Sequence, residues 1–120
     1  MIKKQSDMRR EPMPNARGGD GVAIFDHILE KTEMNTNCRM FTKITLNPGT
    51  SIGYHKHERE EDIYYIINGI ATVTDNGEKR FVYPGEVVYT GDGGSHSIAN
   101  EKDVPLEFVS IILTYDSPER

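Results

Sequence analysis

The sequence predicts a small all-β domain built as an antiparallel sandwich or barrel. Three observations carry that prediction. Short runs of β-branched and aromatic residues recur along the chain, Gly, Pro and Asn-Gly pairs separate them at even intervals, and no stretch needs a long helix. At 120 residues, 36% of them hydrophobic, the chain is long enough to bury one core and too short for two.

The elements follow in order. Residues 1–21 are polar and broken by Pro12, Pro14, Gly18, Gly19 and Gly21, so they read as an extended arm or mobile tail that needs a partner surface to become ordered. In "VAIFDHILEKTEM" (22–34), Val22, Ile24 and Asp26 suggest a strand while Phe25, Ile28 and Leu29 have helical spacing; the reading is a strand ending in a helical turn. "CRMFTKITL" (38–46) places Met40, Thr42, Ile44 and Leu46 on one face and ends at Pro48-Gly49. "DIYYII" (62–67) suits a pleated, half-buried surface, and Asn68-Gly69 turns the chain into "IATVT". "DNG" (75–77) is a type I′ hairpin signal. "KRFVY", Pro84-Gly85, "EVVYT", a glycine-rich loop at 91–94 and "LEFVSIILTY" (106–115) complete the pattern. The expected domain layout is an arm at 1–21, a barrel at 22–116 and a short tail at 117–120.

The bulk properties narrow the function classes. A formal charge of −5 opposes the basic footprint of a nucleic-acid binder, and the single Arg-Gly-Gly in "ARGGDG" (16–21) reads as a loop. Nothing resembles a membrane span or a signal peptide. Cys38 is the only cysteine, which excludes an intrachain disulfide and fits a reducing compartment, so a cytoplasmic location is expected.

The chemistry concentrates in "YHKHEREEDIYYIING" (54–69). His55 and His57 are two apart, so in a strand both leave from one face, as two ligands sharing an ion must. That pair alone is weak, because alternating surface histidines look the same. The surroundings strengthen it. Gly49, His55, His57, Asp62 and Gly69 form one spaced block, "GTSIGYHKHEREEDIYYIING", and Gly85, Gly91, Gly93, His96 and Asn100 form a second, "GEVVYTGDGGSHSIAN". These blocks resemble the two motifs of the cupin family, G-x(5)-H-x-H-x(3,4)-E-x(6)-G and G-x(5)-P-x-G-x(2)-H-x(3)-N, in order and with matching spacing. With the flanking strands the resemblance covers roughly residues 38–114.

Two positions depart from the family pattern. Gly91 replaces the usual proline and loosens the loop before His96, where Gly91, Gly93 and Gly94 permit a tight turn that delivers His96 to the pocket mouth. Asp62 replaces the family's glutamate ligand and reaches about 1.5 Å less far from the same backbone position. It ligates directly, binds through water, or leaves the position open. Glu61 is the rival carboxylate by strict alternation from His57; the spacing to Gly69 selects Asp62. Glu58 and Glu60 read as solvated turn charges, Arg39 and Arg80 as solvent-facing, and His27 as a surface or satisfied polar residue.

The resemblance implies a single-domain jelly-roll β-barrel holding one divalent transition metal ion (Mn, Fe, Ni or Zn) on His55, His57, Asp62 and His96. Such cupins often take small carboxylates or dicarbonyls, with oxalate the reference ligand. Tyr64, Ile66, Met40, Tyr89 and Phe108 are the pocket candidates by alternation. The leading expectation is a metal-dependent decarboxylase, dioxygenase, isomerase or lyase; the alternatives are a binding module for a sugar or organic acid, or a barrel kept for assembly. Double-barrel oxalate decarboxylases carry two motif pairs and this chain has one, so that activity does not transfer directly. Apolar residues on both parities of "IYYII" predict a homodimer, with residues 1–21 available for exchange.

Overall fold

The computed structural model describes residues 1–115. The expected tail at 117–120 and the barrel's end at 116 lie outside them. Ten strands form two antiparallel sheets: β1 (Arg9–Pro14), β2 (Val22–Leu29), β3 (Cys38–Leu46), β4 (Ser51–Lys56), β5 (Glu60–Asn68), β6 (Ala71–Asp75), β7 (Glu78–Val82), β8 (Val87–Thr90), β9 (Ser95–Ala99) and β10 (Leu106–Thr114). One sheet has the order β1-β2-β3-β10-β5-β8 and the other β4-β9-β6-β7. The two sheets close a jelly roll over a shared interior.

Local chemistry explains most of the boundaries. β6 and β7 are joined by Asn76-Gly77, both at positive φ (46° and 86°), the two-residue turn that "DNG" predicts. β2 ends in a single 3-10 turn at Lys31–Glu33, so the strand-then-turn reading of 22–34 describes what forms. Asn100 is buried at the far end, where its side-chain amide donates to the Leu46 and Val104 carbonyls and its Oδ1 accepts from the Lys102 N–H.

Residues 9–14 find their partner surface within the chain. β1 pairs with β2 from Arg9↔His27 to Pro14↔Val22, and ion pairs Arg10–Asp26 (2.8 Å) and Arg9–Glu30 (2.9 Å) join the two segments. The following turn, with Asn15 (φ 50°) and Arg17 (φ 53°) left-handed, lies against β4, and its Ala16 is buried. His27, half-expected at the surface, is buried and bonded to Glu11 (2.8 Å).

The core runs between the sheets: Phe25, Ile44, Leu46, Ile52, Tyr64, Ile66, Val73, Ile98, Leu106 and Phe108 are all buried. In β5, Asp62, Tyr64 and Ile66 point inward while Tyr65 and Ile67 are exposed. The parity is set upstream. Arg59 adopts a left-handed conformation (φ 59°) between His57 and β5, and its N–H donates to the Asp92 carboxylate. That break in the alternation lets odd-numbered His57 and even-numbered Asp62 face the same interior.

Candidate metal centre

His55, His57, Asp62 and His96 meet at one end of the barrel, with one ligand atom from each within 4.8 Å of all the others. His55 leaves β4 and lies directly across from His96 on β9. His57 follows the end of β4, and its backbone is held by the glycine loop: its N–H donates to the Gly94 carbonyl (2.9 Å) and its carbonyl accepts from the Gly93 N–H (2.7 Å). Of the three loop glycines, only Gly93 has positive φ. The loop therefore positions His57, whereas His96 is fully buried on a strand and is not delivered to the mouth by the loop.

The three imidazoles are oriented from behind. His55 Nδ1 donates to the Gly53 carbonyl (2.7 Å), His57 Nδ1 to the Glu60 carboxylate, and His96 Nδ1 to Thr90 Oγ1 (2.8 Å), whose own hydroxyl points at Asp75 (3.3 Å). A carbonyl and a carboxylate can only accept, so these partners fix the tautomer with the proton on Nδ1. Three Nε2 lone pairs then converge: His57 Nε2 is 3.0 Å from that of His55 and 2.9 Å from that of His96. Asp62 Oδ2 adds a fourth acceptor, 3.3 Å from His57 Nε2 and 3.4 Å from His96 Nε2. Its other oxygen accepts from Ser110 (2.9 Å).

Four acceptors facing one another repel unless something positive lies among them. A proton bridges two of them; a divalent cation serves all four. The donor set of three imidazoles and one carboxylate, each with an outer partner, fits a divalent transition metal. The ionisation equilibria carry the same signature. Burial depresses His55 to about 4, against the bond to Gly53 and with help from the charges of His96, His57 and Arg17. Burial also works against charge on His57, yet its bonds to Asp62 and Glu60 win and raise it. Asp62 is held down to about 2, because His57 and His96 overcome a burial effect that would raise it. Burial and the nearby Asp62 charge push Tyr64 well above its ordinary value, so its phenol stays protonated.

A cavity of about 220 Å³ opens beside the cluster, lined among others by Met40, Tyr64, Arg17, Arg39 and Ser110. Tyr64 stacks on His96 (4.7 Å, 12°), with its hydroxyl 3.2 Å from His96 Nε2. Ile66 and Phe108 are fully buried below this level; Phe108 supports the Tyr64 ring edge-on at 4.8 Å. Tyr89 corrects the sequence reading. It pairs with Ile63, faces outward at 57% exposure and donates to Glu61 (2.7 Å). Thr90 lies across from Asp62 and Val88 across from Tyr64, so those two share the inward face. "EVVYT" is apolar on both parities and could not show this.

Glu60 and Arg39 are two further corrections. Glu60 is largely buried, with 14% of its side chain exposed, and joins His57 to a two-pronged ion pair from Arg39 (2.8 and 3.0 Å). Even parity with Asp62 was the available signal for Glu60. Arg39 had none: β3 is bulged against β10, with Ile112 across from Met40 and Leu113 across from Cys38, which re-aims the residue between. Arg80 and Glu58 are exposed as expected, paired with Glu78 and Lys56.

The two-sheet jelly roll and its histidine cluster define a cupin. The cupin domain family matches residues 42–112, and the chain belongs to it. The oxalate-binding protein of Thermotoga maritima is 40% identical over 113 residues, spanning 94% of this chain and 93% of that one. A crystal structure from the same organism, described as a predicted oxalate decarboxylase, superposes with a TM-score of 0.91 at 39% identity, covering 96% of this chain and all of that one. A mannose-1-phosphate guanylyltransferase of Salmonella typhimurium is 28% identical over 58% of this chain, which corresponds to only 14% of that enzyme.

Proposed function

We propose that this cupin binds a small carboxylate of the oxalate class at a divalent transition metal ion held by His55, His57, Asp62 and His96. One observation carries the reading: four acceptors converge while each imidazole's Nδ1 is already engaged from behind. The 40% identical relative that is named for oxalate binding supports the ligand class. The ion, when bound, supplies Lewis-acid or redox chemistry. The chain's own residues orient the ligands, and Tyr64 and Ser110 line the cavity with hydroxyl groups. Elemental analysis by inductively coupled plasma mass spectrometry on untagged protein, purified without chelator, tests the reading against His57→Ala. Near-stoichiometric metal that the variant lacks is expected. Folded, metal-free protein that cannot be reconstituted would overturn it.

Turnover is the second reading, favoured by Tyr64. Burial and Asp62 keep its phenol protonated, and beside His96 it is placed to donate a hydrogen bond to a carboxylate-derived group at the cluster. Metal-loaded protein incubated with oxalate would then release formate and carbon dioxide, and an unchanged oxalate concentration would leave binding alone. Among the described residues, no helix is long and apolar enough to cross a membrane. Buried Cys38 supports a reducing, cytoplasmic setting. Tyr65, Ile67, Val87 and Tyr89 form an exposed apolar face on β5 and β8, which supports a homodimer. Light scattering after gel filtration tests that assembly.

A further inference from the structure

Arg17 stands apart from the other arginines. Arg9, Arg10, Arg39 and Arg80 each hold a carboxylate at 2.9 Å or less. Arg17, among the described residues, holds none, although it lines the same cavity as His55, His57, Asp62 and Tyr64. Its position is built at a cost. Arg17 is left-handed (φ 53°), a conformation that a residue with a long side chain adopts only when its surroundings impose it. The surroundings are visible. A Cβ on Gly53 would lie 2.1 Å from the Arg17 carbonyl oxygen, and one on Gly19 2.2 Å from that of Ser51, so the turn and β4 meet backbone to backbone. Asp20 and Ser51 fasten the turn further, with two hydrogen bonds of 2.9 Å. Gly53 is also the residue whose carbonyl orients His55. One residue thus registers Arg17 against a metal-ligand candidate.

Charge points the same way. A divalent ion carries two positive charges, Asp62 removes one, the Arg39–Glu60 pair contributes none, and Arg17 adds one. The cavity then presents two positive charges, which complements an anion with two negative ones.

We propose that Arg17 is the specificity residue for a dianionic ligand: its guanidinium takes the outward carboxylate of a molecule whose other carboxylate lies at the His55–His57–Asp62–His96 cluster. Two parallel N–H donors match a carboxylate, and the charge favours it over a neutral amide of the same shape. The inference rests on the carboxylate-binding reading above and adds which residue selects the charge.

Calorimetric titration of the metal-loaded protein with oxalate and with oxamate, its singly charged isostere, tests it. The wild type is expected to prefer oxalate. Arg17→Gln should weaken oxalate binding by about ten- to a hundredfold, change oxamate binding by less than about threefold, and leave the metal content unaltered. Arg17→Lys should recover part of the loss, because it keeps the charge without the fork. Oxalate affinity should also fall more steeply with salt in the wild type than in Arg17→Gln. If wild type and Arg17→Gln bind oxalate equally, with equal salt dependence, the inference is wrong and the binding function stands. If the loaded wild type binds neither anion, both are wrong.

Discussion

The barrel interior has two ends built on the same strands, and they differ in almost every side chain. At the cavity end β5, β9 and β10 contribute Asp62, His96 and Ser110; two to four residues further along, the same inward positions are Ile66, Ile98, Phe108 and Leu106. Tyr64 marks the border, with one ring face on His96 and an edge contact to Phe108. One end therefore excludes water, and the other holds charged and hydrogen-bonding groups that would be costly to bury without partners. Concentrating apolar burial at one end lets the other keep a polar cluster.

Substitutions should separate the two ends. The largest effect is expected at the cluster: His96→Ala should abolish metal retention through dialysis, as measured by elemental analysis. Asp62→Ala should do the same, because Oδ2 already faces the Nε2 atoms of His57 and His96. A much milder loss for Asp62→Ala would mean that the carboxylate acts through water. At the other end, Phe108→Ala should cost about 3–5 kcal/mol in urea denaturation, while the folded fraction binds metal normally. Loss of metal at equal stability would erase the distinction between the ends.

Glu60→Gln probes the outer partners. It keeps the shape but weakens the acceptor for His57 Nδ1, so metal affinity in a chelator competition should fall about 10–100-fold. A change below threefold would show that Glu60 serves only Arg39.

The pH dependence of the metal-free protein sharpens the comparison further. His57 is raised, so its stabilising pairing is complete below its ordinary value of 6.5 and fades as pH rises through its folded value. His55 is depressed to about 4, so its contribution is complete above 6.5 and fades as pH falls towards 4. Asp62 then loses its contribution between 3.8 and about 2. The apoprotein's melting temperature should therefore peak near pH 6.5, and metal should move the peak upward by displacing the protons. A melting temperature that rises steadily to pH 9 without metal would contradict this. The smallest effect belongs to Tyr89→Phe on the outer face: less than about 0.5 kcal/mol, with oxalate and metal binding unchanged.

The same comparison explains what the sequence made legible. The second half of β3 could be read to the residue because Thr42, Ile44 and Leu46 alternate with the polar Lys43 and Thr45, and the Asn76-Gly77 turn because two adjacent positive φ angles demand such residues. The four clustered residues carried spaced motifs. Their outer partners did not. Glu60 looked like one more charge in "EREED", Arg39 was re-aimed by a bulge that no residue type announces, and Tyr89 lay in a strand without alternation. The strand at 9–14 was hidden because two prolines and several charges mask an edge strand. Arg17 was hidden with it.

The left-handed residue at Arg59 has a consequence for how this chain can change length. It works as a phase shift: after the irregularity between Ile52 and His55, the chain before it has odd-numbered His55 and His57 facing inward, and the strand after it counts inward positions on even numbers. If the turn lost one residue and β5 were drawn back one place against β10 and β8 to bridge it, every side chain of β5 would change sides. Tyr65 and Ile67 would then face the interior, while Asp62 and Tyr64 would face solvent. Composition would barely alter, yet the barrel would lose both its carboxylate and its central ring, so the spacing from His57 to Asp62 is as much a part of the site as the residues themselves.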